Sequence, residues 1–194
     1  MTVAFDAENM VDDAALLARY GRGEDAAARL LTERLTPLAL RLATRMLGDR
    51  DEAEDVAQEA MLRLWRVAPD WRPGGAKVST WLYRVTANLC SDRLRRRRGV
   101  ALDDVPEPED GYPAVTDQMM AANRAAALEA ALLTLPERQR QAVVLRHLEG
   151  LANPEIAAIM DIGVEAVESL VARGKRGLTA ALQGARDELG YGDD

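Results

Sequence analysis

Apolar residues recur every three to four positions from about Asp12 to Arg98, a period that predicts helices. Leu16, Leu17 and Tyr20 make a short first helix, ended near Gly21 and Gly23. A longer one runs from about Glu24 to Leu47 with Leu30, Leu31, Leu35, Leu38, Leu42 and Met46 on one side. Pro37 lies inside it and predicts a kink. Gly48 stands where a left-handed residue closes a helix. From Glu52 to about Val67 there are two stripes. Ala53, Val56, Ala57, Ala60, Met61 and Leu64 form a core face, while Asp55, Gln58, Glu59 and Leu62 form a second face at i, i+3, i+4 and i+7. Leu62 has no reason to stand among polar residues unless something covers it. After a loop with Pro69, Pro73, Gly74 and Gly75, a further helix is expected from about Ser79 to Arg97.

The pattern then stops. Gly99 to about Thr116 holds three prolines and no periodicity, as a linker does. A second helical module begins near Asp117, with Leu128, Ala131, Leu132 and Leu135 continuing its apolar face. Thr134-Leu135-Pro136-Glu137 matches a capping box, predicting a helix from there to about Leu148. Asn153-Pro154 pairs a capping side chain with a residue that has no amide hydrogen, and opens a helix through Ile156, Ala157 and Met160. It ends at Asp161-Ile162-Gly163, and a last helix runs from Val164 towards Leu182, so the pair fits a helix-turn-helix. The expected fold is all-α, with helical modules at 11–98 and 118–184 joined by an acidic, Pro-containing linker at 99–117.

Composition narrows the function. Hydrophobic residues at 48% and charged residues at 29% are ordinary for a globular protein, and aromatics are scarce at 4%. The acidic start, Met1 to Asp13, lacks a signal-peptide pattern, and no apolar run approaches the roughly 20 residues of a membrane helix, so a cytoplasmic protein without membrane contact is expected. The single cysteine, Cys90, excludes an intrachain disulfide and a cysteine-based zinc site. The only histidine, His147, has no evident nucleophile or metal partner. Gly74 to Thr80 only faintly resembles a phosphate-binding loop: the Lys does not follow a Gly and no strand precedes it. No enzyme, cofactor or metal is expected.

The net charge of −7 hides a segregation. From Lys77 to Arg98 seven basic residues face one acid, a net +6, whereas Ala101 to Asp117 carries six acids and no base, a net −6. A concentrated basic block points to local contact with a polyanion, and the linker could lie against it in a compact free protein. Trp65, Trp71 and Trp81 fall in one stretch ahead of the Arg93 to Arg98 cluster, which suits single-stranded DNA because bases stack on rings while phosphates meet cations. Trp65 and Trp81 also sit on core-like positions, so packing is the competing reading. In the second module the helix from Val164 should bury Val164, Val167 and Val171 and expose Glu165, Ser169, Ala172, Arg173 and Arg176, as a recognition helix does.

These residues carry a family resemblance. Glu54-Asp55-Val56-Ala57-Gln58-Glu59 with Leu62-Arg63-Leu64-Trp65 resembles the second conserved region of bacterial sigma factors. Ser79-Thr80-Trp81-Leu82, Asn88-Leu89 and Asp92-Arg93-Leu94-Arg95-Arg96 resemble its promoter-melting segment. Leu135 to Arg140 and Glu155-Ile156-Ala157 resemble the fourth region. The likeness runs from Leu16 to Leu182 except for the linker, and the lack of other sigma domains points to the compact extracytoplasmic-function (ECF) group.

The resemblance implies a promoter-specificity subunit of RNA polymerase. Asp55, Gln58, Glu59 and Leu62 would bind the β′ clamp helices, with the β flap as a further polymerase contact. Lys77, Ser79, Thr80, Trp81, Arg84 and Asn88, with Arg93, Arg95 and Arg96, would open and hold the −10 strand, and the loop from Trp71 to Ala76 would pocket a flipped base. Glu165, Ser169, Ala172, Arg173, Lys175 and Arg176 would read the −35 duplex, and the linker would thread the polymerase's RNA path. A cognate anti-sigma factor is expected. Two features depart from the family pattern: Asp161 sits at the usual Gly position of the turn and Gly163 at the position of the capping Ser or Thr, and Glu168 stands where many relatives have Lys. A stand-alone helix-turn-helix regulator would leave the Asp55 to Leu62 stripe unexplained, and a helical adaptor would leave the arginine block idle.

Overall fold

The computed structural model describes residues 12–72, 75–100 and 117–188, and every regular element in them is helical. The linker at 101–116, and with it the expected linker contact on the basic block, lies outside the described residues, as do Pro73 and Gly74 of the base-pocket loop. In chain order the helices are α1 (Asp13–Gly21), α2 (Asp25–Leu47), α3 (Arg50–Val67), α4 (Val78–Val100), α5 (Asp117–Leu133), α6 (Glu137–Val143), α7 (Asn153–Met160) and α8 (Val164–Glu188). A 3₁₀ turn at Ala68–Asp70 follows α3, and α6 widens into a π turn over Val144–Leu148.

Helices α1 to α4 pack around Leu16, Leu17, Leu31, Leu35, Leu64 and Leu82, all at most 1% exposed. The whole expected core stripe of α3 is buried. Gly48 ends α2 at φ 68°, donating its amide to the Thr44 carbonyl at 2.9 Å. Asp49 then starts α3, its Oδ1 accepting the Glu52 amide at 2.9 Å. Helix α4 runs three residues past Arg97, through Gly99, which the sequence pattern placed in the linker.

The second cluster does not respect the module boundary. Leu42, Met46, Tyr83, Ala87 and Cys90 of the first module share one buried core with Leu132, Leu135, Val144, Leu145 and Ile156 of the second. Gly48 serves this closeness too, since a Cβ there would collide with the Leu133 side chain. The Arg140 guanidinium, buried with the second module, donates to the carbonyls of Met46 at the end of α2, of Leu133 at the end of α5 and of Leu135 just beyond it. It thereby satisfies helix-end acceptors that the interface shuts off from water. Burial lowers its pKa.

Two capping expectations are corrected. Thr134 Oγ1 donates to the Ala131 carbonyl at 2.8 Å, so it closes α5, and α6 begins at Glu137 with no side-chain cap. Asn153 lies within the first turn of α7. Its side-chain oxygen is buried without a partner among the described residues, while Glu155 Oε2 accepts the Ala152 amide at 3.1 Å. The sequence spacing was right and the residue taking the capping role was not. The α7–α8 turn is as expected: Asp161 adopts the left-handed conformation at φ 53°.

Candidate nucleic-acid interface

The polar stripe of α3 forms one wall of a groove. Asp55, Gln58 and Leu62 are exposed, Glu59 is half-buried, and Leu62 is 44% exposed although its helix neighbour Leu64 is fully buried. Glu59 accepts from Arg63 Nε at 2.9 Å, and that hydrogen bond holds its carboxyl below the ordinary value. The facing wall comes from α4, as Leu89, Asp92, Arg93 and Arg96. Sequence reasoning did not single out this wall, although 89, 92, 93 and 96 have the i, i+3, i+4 and i+7 spacing of one helix face.

The nine residues assigned to −10 DNA divide. Lys77, Trp81, Arg84, Asn88 and Arg95 follow one another at helical spacing on the side of α4 turned away from α3, with Thr80 at its margin; all but the half-buried Thr80 and Trp81 are exposed. Arg93 and Arg96 lie on the groove side instead, Arg93 with Nη1 3.8 Å from Glu52 and 3.6 Å from Asp55. Ser79 is half-buried in the first turn and off the exposed face. The arginine run is not simply a row of free cations. Arg97 binds Glu52 at 2.8 Å, Arg95 binds Asp92 at 3.2 Å and Arg98 binds Glu137 of α6 at 2.6 Å.

The tryptophans also separate. Trp65 packs on Tyr20 with the rings tilted at 56° and their centroids 4.7 Å apart, against the first core, as the packing reading expected. Trp71 and Trp81 meet edge to face at 6.1 Å, and each is half-buried.

In the second module Glu165, Ser169, Ala172, Arg173 and Arg176 are exposed along α8, while Val167 is fully buried and Val164 and Val171 half-buried. Lys175 is exposed but stands on the flank, where it lines an apolar groove with Leu128, Val143, Leu148, Leu178 and Leu182. Gly174 lets α8 approach α6, since a Cβ there would press on Val143 and come within 3.0 Å of the Gln139 carbonyl. His147 is exposed at the rim of that groove. Cys90 is buried, and burial pushes its thiol up to about 12, which removes the reactive thiolate. Among the described residues no group of His, Cys, Asp and Glu is arranged to hold a metal ion, and no helix is long and apolar enough to cross a membrane.

Residues 31–100, the α2 to α4 bundle with the groove, match the Sigma-70 region 2 family, and residues 125–178, which include the helix-turn-helix, match Sigma-70, region 4. The ECF RNA polymerase sigma factor SigM of Mycobacterium tuberculosis is 34% identical over 180 residues, covering 93% of this chain and 89% of that protein. The chain is a member of the ECF sigma factors of the sigma-70 family. SigE of Mycolicibacterium smegmatis is 38% identical over 142 residues, 71% of this sigma factor, which spans about half (54%) of that relative. Among solved structures, CnrH in complex with the cytosolic domain of CnrY superposes with a TM-score of 0.67 at 26% identity, over 89% of this chain and 97% of that one. These relatives are transcription initiation factors, and the all-α two-module expectation agrees with the fold.

Proposed function

We propose that this sigma factor binds core RNA polymerase through the α3 stripe and directs promoter-specific initiation by reading −35 duplex with α8 and melting and holding the −10 strand with α4. The observation that carries the reading is Leu62: an apolar side chain left 44% exposed among Asp55, Gln58 and Glu59, on a groove walled by Arg93 and Arg96. A solvated face has no use for that arrangement, whereas a partner helix that covers the leucine and meets both charge signs does. The β′ clamp helices are that partner, and the apolar groove between α5, α6 and α8 offers the β flap a second footing. The exposed Lys77, Arg84, Asn88 and Arg95 face supplies phosphate contacts, Trp71 and Trp81 supply stacking beside the loop, and Ser79 and Thr80, in the first turn of α4, join them in holding the −10 strand. On α8, Arg173 and Arg176 meet phosphates or guanine edges, and Glu165 accepts from a cytosine amino group. Arg93 and Arg96 serve the polymerase groove in addition to any strand contact.

The sigma factor works in the cytoplasm with the polymerase and is controlled by a cognate anti-sigma factor, as expected of its group. The expected module limits, 11–98 and 118–184, are kept as the reading, with α4 carrying the first module on to Val100 and α5 opening the second at Asp117. The experiment is reconstitution: purified protein, core polymerase stripped of sigma factors and genomic DNA, with transcript 5′ ends mapped. Discrete ends that require the protein are expected. Specific duplex binding without polymerase and no transcripts would favour a stand-alone regulator, and binding to neither would favour an adaptor.

A further inference from the structure

Within the groove between α3 and α4, one cation is divided between two acids. Arg95 and Arg97 each hold a carboxylate closely, at 3.2 and 2.8 Å. Arg93 does not. Its Nη1 lies 3.8 Å from Glu52 Oε2 and 3.6 Å from Asp55 Oδ2, too far from either for a hydrogen bond and nearly balanced between them. Three residues apart on α3, the two acids are neighbours along one helix edge, so a single guanidinium reaches both. Their settings differ. The Asp55 side chain is 68% exposed and lines the groove, whereas that of Glu52 is 32% exposed and stands outside the lining. A partner in the groove meets Asp55, with Glu52 set behind it.

Glu52 is also fixed from its far side. Its amide donates to Asp49 Oδ1 at 2.9 Å in the first turn of α3. Its Oε1 accepts from Arg97 Nε at 3.1 Å and pairs with Arg97 Nη2 at 2.8 Å. Arg97 Nη1 donates in turn to the Leu47 carbonyl at the end of α2, at 3.1 Å. One arginine of α4 thereby ties the end of α2 to the start of α3. With Oε1 engaged by Arg97, Oε2 is left for Arg93.

We propose that Glu52 is a positioning residue for polymerase docking. When a basic side chain of the partner takes Asp55, Glu52 keeps Arg93, so the exposed acid is released without leaving a cation unpaired in the groove. The proposal rests on the reading above that the α3 stripe binds core polymerase. Two cations crowded on one carboxylate repel each other, and a half-buried guanidinium stripped of its acid is costly. With Glu52 behind it, Arg93 has only to close the 3.8 Å gap to hydrogen-bond distance. Glu52 therefore acts through Arg93 and makes no contact with the partner itself.

The test is Glu52→Gln in the full-length protein, which keeps an oxygen for Arg97 and removes the charge that holds Arg93. Titrated with sigma-free core polymerase at about 50 mM salt, the variant should show a Kd about 5-fold higher, the scale of one partly exposed ion pair. The difference should shrink to under about 2-fold by about 0.5 M salt, where the Debye length is about 4 Å. In an Asp55→Asn background, itself weaker in binding, Glu52→Gln should change Kd by less than about 2-fold, because no acid remains to be released. A role for Glu52 in the fold alone would weaken binding equally at both salts and in both backgrounds. That pattern, or an unchanged Kd at low salt, would overturn the proposal. If Glu52→Gln melts without cooperativity, Glu52→Asp is measured in its place. It keeps an acid at the helix start but draws the carboxylate back from Arg93, and the same dependence on salt and on Asp55 is expected. Asp55→Asn and Leu62→Asp both binding core polymerase like wild type would refute the docking face and the Glu52 role with it. Weakening by both, with no effect of Glu52, would refute the Glu52 role alone.

Discussion

Replacing Leu62 by Asp should remove polymerase binding and leave the fold standing. Leu62 is 44% exposed, so a partner covering it gains only the remaining part of the roughly 1.5–3 kcal/mol of a full leucine burial, about 1 kcal/mol. An aspartate loses that and adds a carboxylate that must be desolvated beside Glu59, a penalty of several kcal/mol when unpaired. Together these give about 3–5 kcal/mol, or a 100- to 1,000-fold or greater rise in Kd. In the free protein the same change is mild. The position is solvent-facing, and the introduced carboxylate would gain Arg66 one turn on while meeting Glu59 one turn back, pairs of about 0.2–0.5 kcal/mol each with opposite sign. The melting temperature should fall by only a few degrees. Leu64, two residues along, is the control: it is fully buried, and Leu64→Asp should abolish cooperative unfolding. Anisotropy of labelled protein titrated with core polymerase, with circular-dichroism melts alongside, measures both quantities. If Leu62→Asp melts like Leu64→Asp, or binds polymerase like wild type, the α3 groove is not the docking face.

Gly174→Ala should cost about 1–3 kcal/mol, because its Cβ would press on Val143 and the Gln139 backbone; a thermal melt within a degree of wild type would show that α6 and α8 can part freely. Glu168→Lys, exposed on α8 ahead of Arg173, should tighten holoenzyme binding across all promoter duplexes and steepen its salt dependence by about one phosphate contact, and a change confined to one sequence would mean Glu168 reads a base. Burial raises the Cys90 thiol from 9.0 to about 12, so its contribution to stability is full below pH 9 and lost as pH climbs towards 12, with Tyr83 shifted the same way. Denaturant midpoints should therefore fall above pH 9, and Cys90→Ala should flatten that fall; an unaltered slope would place the titration elsewhere.

Local order was legible in the sequence because it depends on near neighbours. Every core position of α3, the left-handed closure at Gly48, the left-handed Asp161 and the two faces of α8 follow from helical period and from what φ each residue tolerates. The isolated Leu62 was visible for the same reason. Capping was read less well: Thr134 and Asn153 have the right chemistry at the right spacing, but several oxygens compete for each helix end and small backbone shifts choose among them.

What only the tertiary structure decided is which faces meet. One sequence stretch holds Arg93 to Arg98, yet Arg93 and Arg96 turn to the α3 groove, Arg97 to Glu52 and Arg98 to Glu137, because 100° per residue sends adjacent side chains to different neighbours. Trp65 parts from Trp71 and Trp81 because the three stand on α3, the following loop and α4. The shared core draws on both modules, and the burial of Glu149 among Arg41, Arg45 and Tyr83 and the capture of Lys77 by Glu155 join residues from 66 to 108 positions apart in the chain. No period encodes such contacts. They depend on the volumes and charges of two surfaces that lie far apart along the chain.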